Sequence, residues 1–119
     1  MLTEREAHEF AQSWLRAFNS HDLDEIMAHY SEDVVLVSPA AAHLLNDPSG
    51  HVHGKGALCS YFARGLEAYP HLSFVLLDVM RGLSSVLLYY KNQKGSTTGE
   101  FMELDADGKI FRVVANYSG

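Results

Sequence analysis

The chain has 119 residues, 47% of them hydrophobic and 20% charged, with a formal net charge of −6. This length and composition fit one folded domain with a buried core, so we expect a single domain over residues 1–119. The nine basic residues are scattered along an acidic chain, which excludes a nucleic-acid-binding surface because such surfaces need clustered Lys and Arg.

The sequence also gives expectations about location. No apolar run is long enough to span a membrane, and the charged start MLTEREAHEF is unlike a signal peptide. The single cysteine, Cys59, has no partner for an internal disulfide. We therefore expect a cytoplasmic protein with no membrane partner.

Two helices and a strand are predicted at the start of the chain. A capping box begins at Thr3, and apolar residues at spacings of three and four predict a helix that ends at Asn19. Asp22 begins a second, short helix. The β-branched run Val34–Val37 predicts a strand that stops at Pro39, which has no N–H to donate.

The next segment, Pro39–Gly54, predicts a long loop, with a short helical turn at Ala40–Leu45. Its glycine, proline and polar content leaves little to bury, so we expect it to be the most mobile segment and to cover a ligand site. A third helix is predicted from Gly56 to Tyr69, closed by Pro70.

The rest of the chain alternates between strands and turns. The predicted strands are Leu72–Met80, Ser85–Lys91, Thr97–Leu104 and Ile110–Tyr117. The order ααβαββββ implies an α+β domain, with three helices packed on one face of a curved, mostly antiparallel sheet. The first strand, set apart in sequence, is expected at an edge of the sheet.

Alternation within the strands predicts which side chains face the core. In the last strand we place the apolar and aromatic set inward: Phe111, Val113, Ala115 and Tyr117. In the strand before it, Met102 and Leu104 facing inward bring Glu100 inward too. A turn centred on Lys94 and Gly95 would set Tyr89 opposite Glu100.

The same assignment leaves an apolar outer face on the sheet. Its predicted members are Val86, Leu88, Tyr90, Phe101, Ile110 and Val114. A patch of this kind usually marks an interface, so the sequence predicts a homodimer formed through the outer sheet face.

Four local patterns, in order, carry a family resemblance: AFNSHDLDEI, YSEDVVLVSP, GKGALCSYF and DGKIFRVVANY. Together they resemble the SnoaL-like proteins of the nuclear transport factor 2-like superfamily, which includes polyketide cyclases and ketosteroid isomerases. The resemblance implies a cone-shaped α+β barrel with one internal pocket for a small, largely apolar molecule.

The resemblance also assigns positions. The isomerases use a carboxylate base at the end of the first strand, a tyrosine on the first helix and a protonated acid on a later strand. This chain has Ser38, Trp14 and Glu100 at those positions, and Phe62 at that of a supporting tyrosine. A serine hydroxyl cannot abstract a proton next to a carbonyl unaided, so the resemblance implies the fold and argues against that isomerase mechanism.

Glu100 is the candidate catalytic acid, because a carboxyl group on an inward strand position would be desolvated and its pKa raised. The resemblance to SnoaL-like cyclases implies the same acid/base role for a carboxylic acid in the cone. The alternative is a partly solvated glutamate near the hairpin end, or one that bonds a tyrosine for structure. The candidate ligand-binding residues are Trp14, Phe18, Tyr30, Val37, Phe62, Tyr89, Met102 and Tyr117.

Histidines in the predicted loop allow two interpretations. His43 and His53 are candidates for a pH-responsive lid, and His51 forms a His-x-His pair with His53. No cysteine or carboxylate pair accompanies them at zinc spacing, so we expect no metal. No phosphate- or dinucleotide-binding motif is present, and we expect no cofactor.

Two functions stay open from the sequence. The first is an acid/base isomerase or cyclase that acts on an apolar carbonyl compound. The second is a non-catalytic module of the same fold that binds a ligand or dimerises.

Overall fold

The computed structural model describes residues 1–119 as an α+β fold. The chain forms four helices and six strands, and the strands make one sheet in the order β2-β1-β6-β5-β4-β3. In chain order the elements are α1 (Glu4–Asn19), α2 (Leu23–Met27), β1 (Tyr30–Val37), α3 (Pro39–Leu44), β2 (His51–His53), α4 (Lys55–Ala68), β3 (Val75–Arg81), β4 (Ser85–Lys91), β5 (Thr97–Leu104) and β6 (Ile110–Tyr117).

Side-chain caps define where the first helices begin. At α1, Thr3 accepts from the backbone N–H of Glu6 and its own N–H donates to the Glu6 carboxylate, which is the predicted capping box. Asp22 caps α2 through the N–H of Glu25. None of the helices combines the length and apolar character needed to cross a membrane.

The sheet is antiparallel except between β1 and β6. Its inner face and the apolar sides of the helices enclose one hydrophobic core, because both surfaces leave water by packing together. The largest fully buried side chains include Trp14, Tyr30, Ile26, Leu58 and Met102.

The region after β1 differs from the sequence expectation. Pro39–Gly54 is not a long loop: the short helical turn predicted at Ala40–Leu45 is the helix α3, and the strand β2, which was not predicted, follows it. Ser38 caps α3 by accepting from the N–H of Ala40, with Pro39 at the first helical position. Since β2 pairs with β1, the first strand is second from the edge, and the order is ααβαβαββββ with four helices.

The register of β4 also corrects a prediction. Leu88, not Tyr89, pairs with Glu100, and Tyr89 pairs with Gly99. A one-residue slip in pairing moves every side chain to the other face of a strand. Three residues predicted on the outer face are therefore buried in the core: Val86, Leu88 and Tyr90.

A bulge explains the remaining difference in β6. The pairing with β5 shifts between Glu103 and Leu104, so Ile110 and Val113 both face the core. Phe111, predicted inward, is only half-buried. Val113, Ala115 and Tyr117 keep the inward side predicted for them, with Tyr117 at the open end of the sheet.

Candidate functional site

A cavity of about 490 Å³ lies between the inner face of the sheet, α1 and α4. Its wall is mainly aromatic and aliphatic, and includes Trp14, Phe18, Phe62, Leu66 and Phe74. Ligand sites are typically apolar clefts of this size with few polar groups, so the cavity is the candidate site.

Phe74 closes one side of the cavity and is held there by the end of α1. The side chain of Asn19 donates to the Phe74 carbonyl at 2.9 Å and accepts from its N–H at 2.7 Å. The Phe74 ring stacks on Trp14 at a centroid distance of 5.9 Å and meets Tyr90 at 4.4 Å. The wall is thus built from contacts between the helix and the segment that leads into β3.

Glu100 is the only acidic side chain that lines the cavity. It is 6% exposed, and burial raises its pKa from an ordinary value of 4.5 to about 7. The Tyr90 hydroxyl donates to Oε1 at 2.7 Å, which opposes part of that rise. Oε2 has no hydrogen-bond partner in the protein, so it is free to meet a ligand.

Trp14 and Tyr30 form a second buried polar pair behind the wall. The indole Nε1–H donates to the Tyr30 hydroxyl at 3.0 Å. Burial, with a smaller effect from nearby Glu100, raises the pKa of Tyr30 well above its ordinary value. The indole N–H is therefore satisfied within the protein, and Trp14 presents an aromatic face rather than a donor to the cavity.

A cluster of three hydroxyl groups lies at another part of the wall, formed by Ser38, Tyr61 and Tyr117. The Ser38 hydroxyl is 3.4 Å from that of Tyr117. Burial raises the pKa of Tyr61 above its ordinary range and that of Tyr117 to about 12, and Ser38 moderates both as a hydrogen-bond partner. All three hydroxyls therefore stay neutral near pH 7 and can donate as well as accept.

The margin of the cavity is more polar. Lys94 is exposed there and lies 5.5 Å from the centre of the Tyr69 ring. His43 contributes from α3, and the buried Gln93 Oε1 is without a hydrogen-bond partner. An apolar interior with a polar margin favours an amphipathic or weakly polar ligand.

Seven of the residues singled out in the sequence meet at this cavity. The structure brings together Trp14, Phe18, Ser38, His43, Phe62, Glu100 and Tyr117.

Five others lie elsewhere, each for a structural reason. Tyr30 and Met102 are buried behind the wall, at 1% and 0% exposure. Val37 alternates with Leu36, and it is Leu36 that faces the cavity. Tyr89 is on the outer face because of the β4 register, and His53 is exposed on β2.

The histidines do not converge. The rings of His51 and His53 stack 5.6 Å apart on exposed positions of β2, away from the cavity that His43 lines. No group of three or more His, Cys, Asp or Glu side chains is placed to hold a metal ion.

The cavity residues that were not singled out in the sequence include Tyr61, Phe74 and Tyr90. Tyr61 lies on the apolar face of α4, and its helical spacing from other apolar residues could have indicated it. Tyr90 depended on the β4 register, and a turn placed one residue differently would have found it. Phe74 precedes its strand, and no local pattern marks it.

Comparison with known proteins gives the class of the fold and then the family. A profile described as the SnoaL-like domain matches residues 11–113. Because the match spans most of the chain, the protein belongs to the SnoaL-like family. No curated protein sequence matches this chain significantly.

Solved structures agree with this assignment. A SnoaL-like protein of unknown function from Burkholderia thailandensis is 31% identical, covers 98% of each chain and superposes with a TM-score of 0.94. A proposed ketosteroid isomerase from Kribbella flavida is 17% identical over 95% of this chain and 78% of its own, with a TM-score of 0.75.

The structure of SalBIII is also similar to that of this chain. SalBIII is described as an epoxide hydrolase/cyclase-like enzyme with a role in pyran ring formation in the polyether salinomycin. It is 18% identical over 99% of this chain and 95% of its own, with a TM-score of 0.74. At this identity, SalBIII and the Kribbella protein share the fold with this chain, and the fold alone does not assign a reaction.

Proposed function

We propose that this protein is an acid/base catalyst of the isomerase or cyclase type, with Glu100 as the group that transfers the proton. Its substrate is a small, largely apolar carbonyl compound bound in the cavity. The observation that carries the proposal is the Glu100 carboxyl group, which is buried in the cavity wall with its Oε2 atom free.

The chemistry follows from the protonation of Glu100 near neutral pH. With a pKa of about 7, both the acid and the carboxylate are populated there. The carboxylate can take a proton from the carbon next to a carbonyl, and the resulting acid can return it to the same or another carbon. A group whose pKa lies near the operating pH is best suited to both steps.

Tyr90 positions this group. Its hydroxyl donates to Oε1, which fixes the carboxyl plane and leaves Oε2 as the atom that meets the substrate. The aromatic wall excludes water, which strengthens electrostatic interactions inside the cavity. The isomerase and cyclase names of structural relatives favour the same reaction class by analogy of fold.

Exchange of a carbon-bound proton tests the proposal without knowledge of the natural substrate. The probe is 1-tetralone, a two-ring ketone with exchangeable protons at C2, incubated in deuterated buffer and followed by NMR. We expect the protein to speed deuterium uptake at C2, and Glu100→Gln to lower that rate by roughly 10²-fold or more.

Glu103→Gln is the matched control, because Glu103 is on the same strand but pairs with Arg112 at 2.9 Å outside the cavity. It should keep the rate of the unaltered protein. Equal rates for Glu100→Gln and the unaltered protein would contradict the proposal.

A second function is favoured by the chemistry opposite Glu100. Ser38, at the position of the isomerase base, already accepts a hydrogen bond from Ala40, and no second carboxylate lines the cavity. A non-catalytic binding module would show this arrangement. Its signature is 1-tetralone binding without deuterium uptake, with an affinity that Glu100→Gln changes only a few-fold.

A further inference from the structure

The hydroxyl cluster of Ser38, Tyr61 and Tyr117 is a second polar centre in an otherwise apolar cavity. Its members come from three elements: Ser38 follows β1, Tyr61 is on α4 and Tyr117 ends β6. Ser38 is only 3% exposed, so the cluster includes a buried polar side chain. Buried hydroxyls need hydrogen-bond partners, and this need can be met by a ligand.

The hydrogen count shows that the cluster has a donor to spare. Its three hydroxyls carry one hydrogen each, and Ser38 already accepts one bond from the N–H of Ala40. The contact of Ser38 with Tyr117 at 3.4 Å uses one hydrogen, and a bond between Ser38 and nearby Tyr61 could use at most one more. No hydrogen bond joins the two tyrosines, so at least one O–H has no acceptor in the protein.

Ser38 is separated from Glu100 by the width of two strand spacings, whereas Tyr117, on the strand between them, is two residues beyond the partner of Glu100. Val37 pairs with Val114 and Glu100 pairs with Ala115, which places Ser38 level with Ala115 and then Glu100 across the sheet. Neighbouring strands are about 4.8 Å apart, so the two backbones are roughly 10 Å apart. Between these two polar centres the wall is apolar, with Ala115 on the floor.

We propose that the hydroxyl cluster binds a second oxygen function of the substrate, at the end of the molecule opposite the carbonyl that meets Glu100. The substrate class is thus a compact, apolar ring skeleton with an oxygen at each end. A hydroxyl suits the cluster best, because it accepts the spare O–H and can donate in return. The position of the carbonyl group at Glu100 rests on the proposed function, and the binding of the second oxygen by the hydroxyl cluster does not.

Two isosteric ketones test the second oxygen. The probes are 6-hydroxy-1-tetralone and 6-methyl-1-tetralone, which differ only in the group at the end opposite the carbonyl. Dissociation constants are measured by calorimetry for the unaltered protein, Tyr117→Phe and Tyr61→Phe. One net hydrogen bond should make the hydroxyl compound bind roughly fivefold tighter to the unaltered protein.

Each tyrosine variant should lose most of that preference while binding the methyl compound as before, which also shows that the variant is folded. Tyr89→Phe is the matched control, since it removes a phenolic hydroxyl from the outer face of the sheet, and it should keep the preference.

The proposal is overturned by equal affinity of the unaltered protein for the two ketones. It is also overturned by a preference that survives in both cluster variants, or by no binding of either ketone at millimolar concentration. Deuterium uptake at C2 of the same ketones is measured in parallel. A hydroxyl preference without uptake supports the cluster and contradicts only the catalytic role of Glu100.

Discussion

The Glu100 carboxyl group makes the stability of this protein depend on pH. Its pKa is raised by burial from 4.5 to about 7, so the folded protein holds this proton over a pH range in which the unfolded chain has released it. Where the folded state binds more protons, the free energy of unfolding falls as pH rises. The contribution is fully present below about pH 4.5 and is lost as pH rises through 7.

Glu100→Gln should remove this dependence. The free energy of unfolding of the unaltered protein, relative to the variant, should fall by about 3 kcal/mol at most between pH 4.5 and pH 8. Urea denaturation of both proteins across that range measures the difference, and the histidines cancel because both chains carry them. A difference that is constant with pH would mean that the carboxyl group has an ordinary pKa in the folded protein.

The direction of a side chain could be predicted from the sequence where the periodicity of a single helix or strand determines it. The inward direction of Glu100 followed from its spacing to Met102, and Trp14 and Phe18 followed from the apolar face of a helix. Tyr90 could not be found in that way, because its direction depends on the turn that sets the β4 register. The hydroxyl cluster joins three distant elements, so no local pattern contains it.

At the scale of elements, Gly50 controls the connection between α3 and β2. Its φ of 63° lies in the left-handed region, and a Cβ atom there would be 2.6 Å from the Ser38 carbonyl oxygen. The N–H of Ser38 also donates to the Gly50 carbonyl at 3.0 Å. The glycine therefore permits the close approach that holds Ser38 in the cavity wall.

Gly50→Ala should lower the free energy of unfolding by about 1–3 kcal/mol, from the backbone strain alone. It should also weaken the hydroxyl preference of the cavity, because Ser38 has to move. Gly56→Ala is the control: Gly56 is within α4 with open space around it, so alanine there should be neutral or stabilising. Denaturation of the two variants compares them, and equal stabilities would contradict the role of Gly50.

The segment Pro39–Gly54 is still expected to exchange its amide hydrogens faster than α1, although it holds a helix and a strand. α3 has six residues and β2 has three, and β2 pairs only with β1. Such small elements open locally at low cost. Hydrogen exchange by mass spectrometry measures this, and 1-tetralone should slow exchange in α3, where His43 lines the cavity. Protection equal to that of α1 without ligand would exclude a lid.

The long helices and strands were easier to predict from the sequence than the short ones. Helices with caps and strands with alternating residues matched to within a few residues. α3 was predicted as a short helical turn within a loop, and β2 was not predicted, because the segment is rich in glycine, proline and histidine and β2 depends on tertiary contacts. β2 is a strand because β1 offers it an edge.

At the scale of the whole molecule, an apolar row crosses the outer face of the sheet. Its members are paired across neighbouring strands: Met80 with Leu87, Leu87 with Phe101, Phe101 with Val114, and Val114 with Val37. Met80 is 52% exposed. This row replaces the face predicted from the sequence, of which only Phe101 and Val114 are correct.

We propose that two copies of the chain associate through this row about a twofold axis. A stable interface needs more than about 1,000 Å² of buried surface, which a sheet face of five strands can supply. Light scattering at micromolar concentration should give twice 13.2 kDa. Phe101→Glu should give the monomer, and Leu83→Asp, in the exposed β3–β4 turn, should leave the dimer intact. A monomeric unaltered protein would end the proposal.

The overall class was the most predictable feature. The order of helices and strands and four local patterns indicated the SnoaL-like family, and the family profile agrees. The function is harder to derive, because it depends on which few side chains meet in the cavity.

Trp14 is the only tryptophan of the chain, and it forms part of the cavity wall. Its ring also lies against Phe18, Phe74 and Tyr90. Fluorescence excited at the red edge of the absorption band of the protein therefore comes from Trp14 alone. Binding of a ligand in the cavity can be followed as a change in the wavelength or intensity of this fluorescence, with no label attached to the protein.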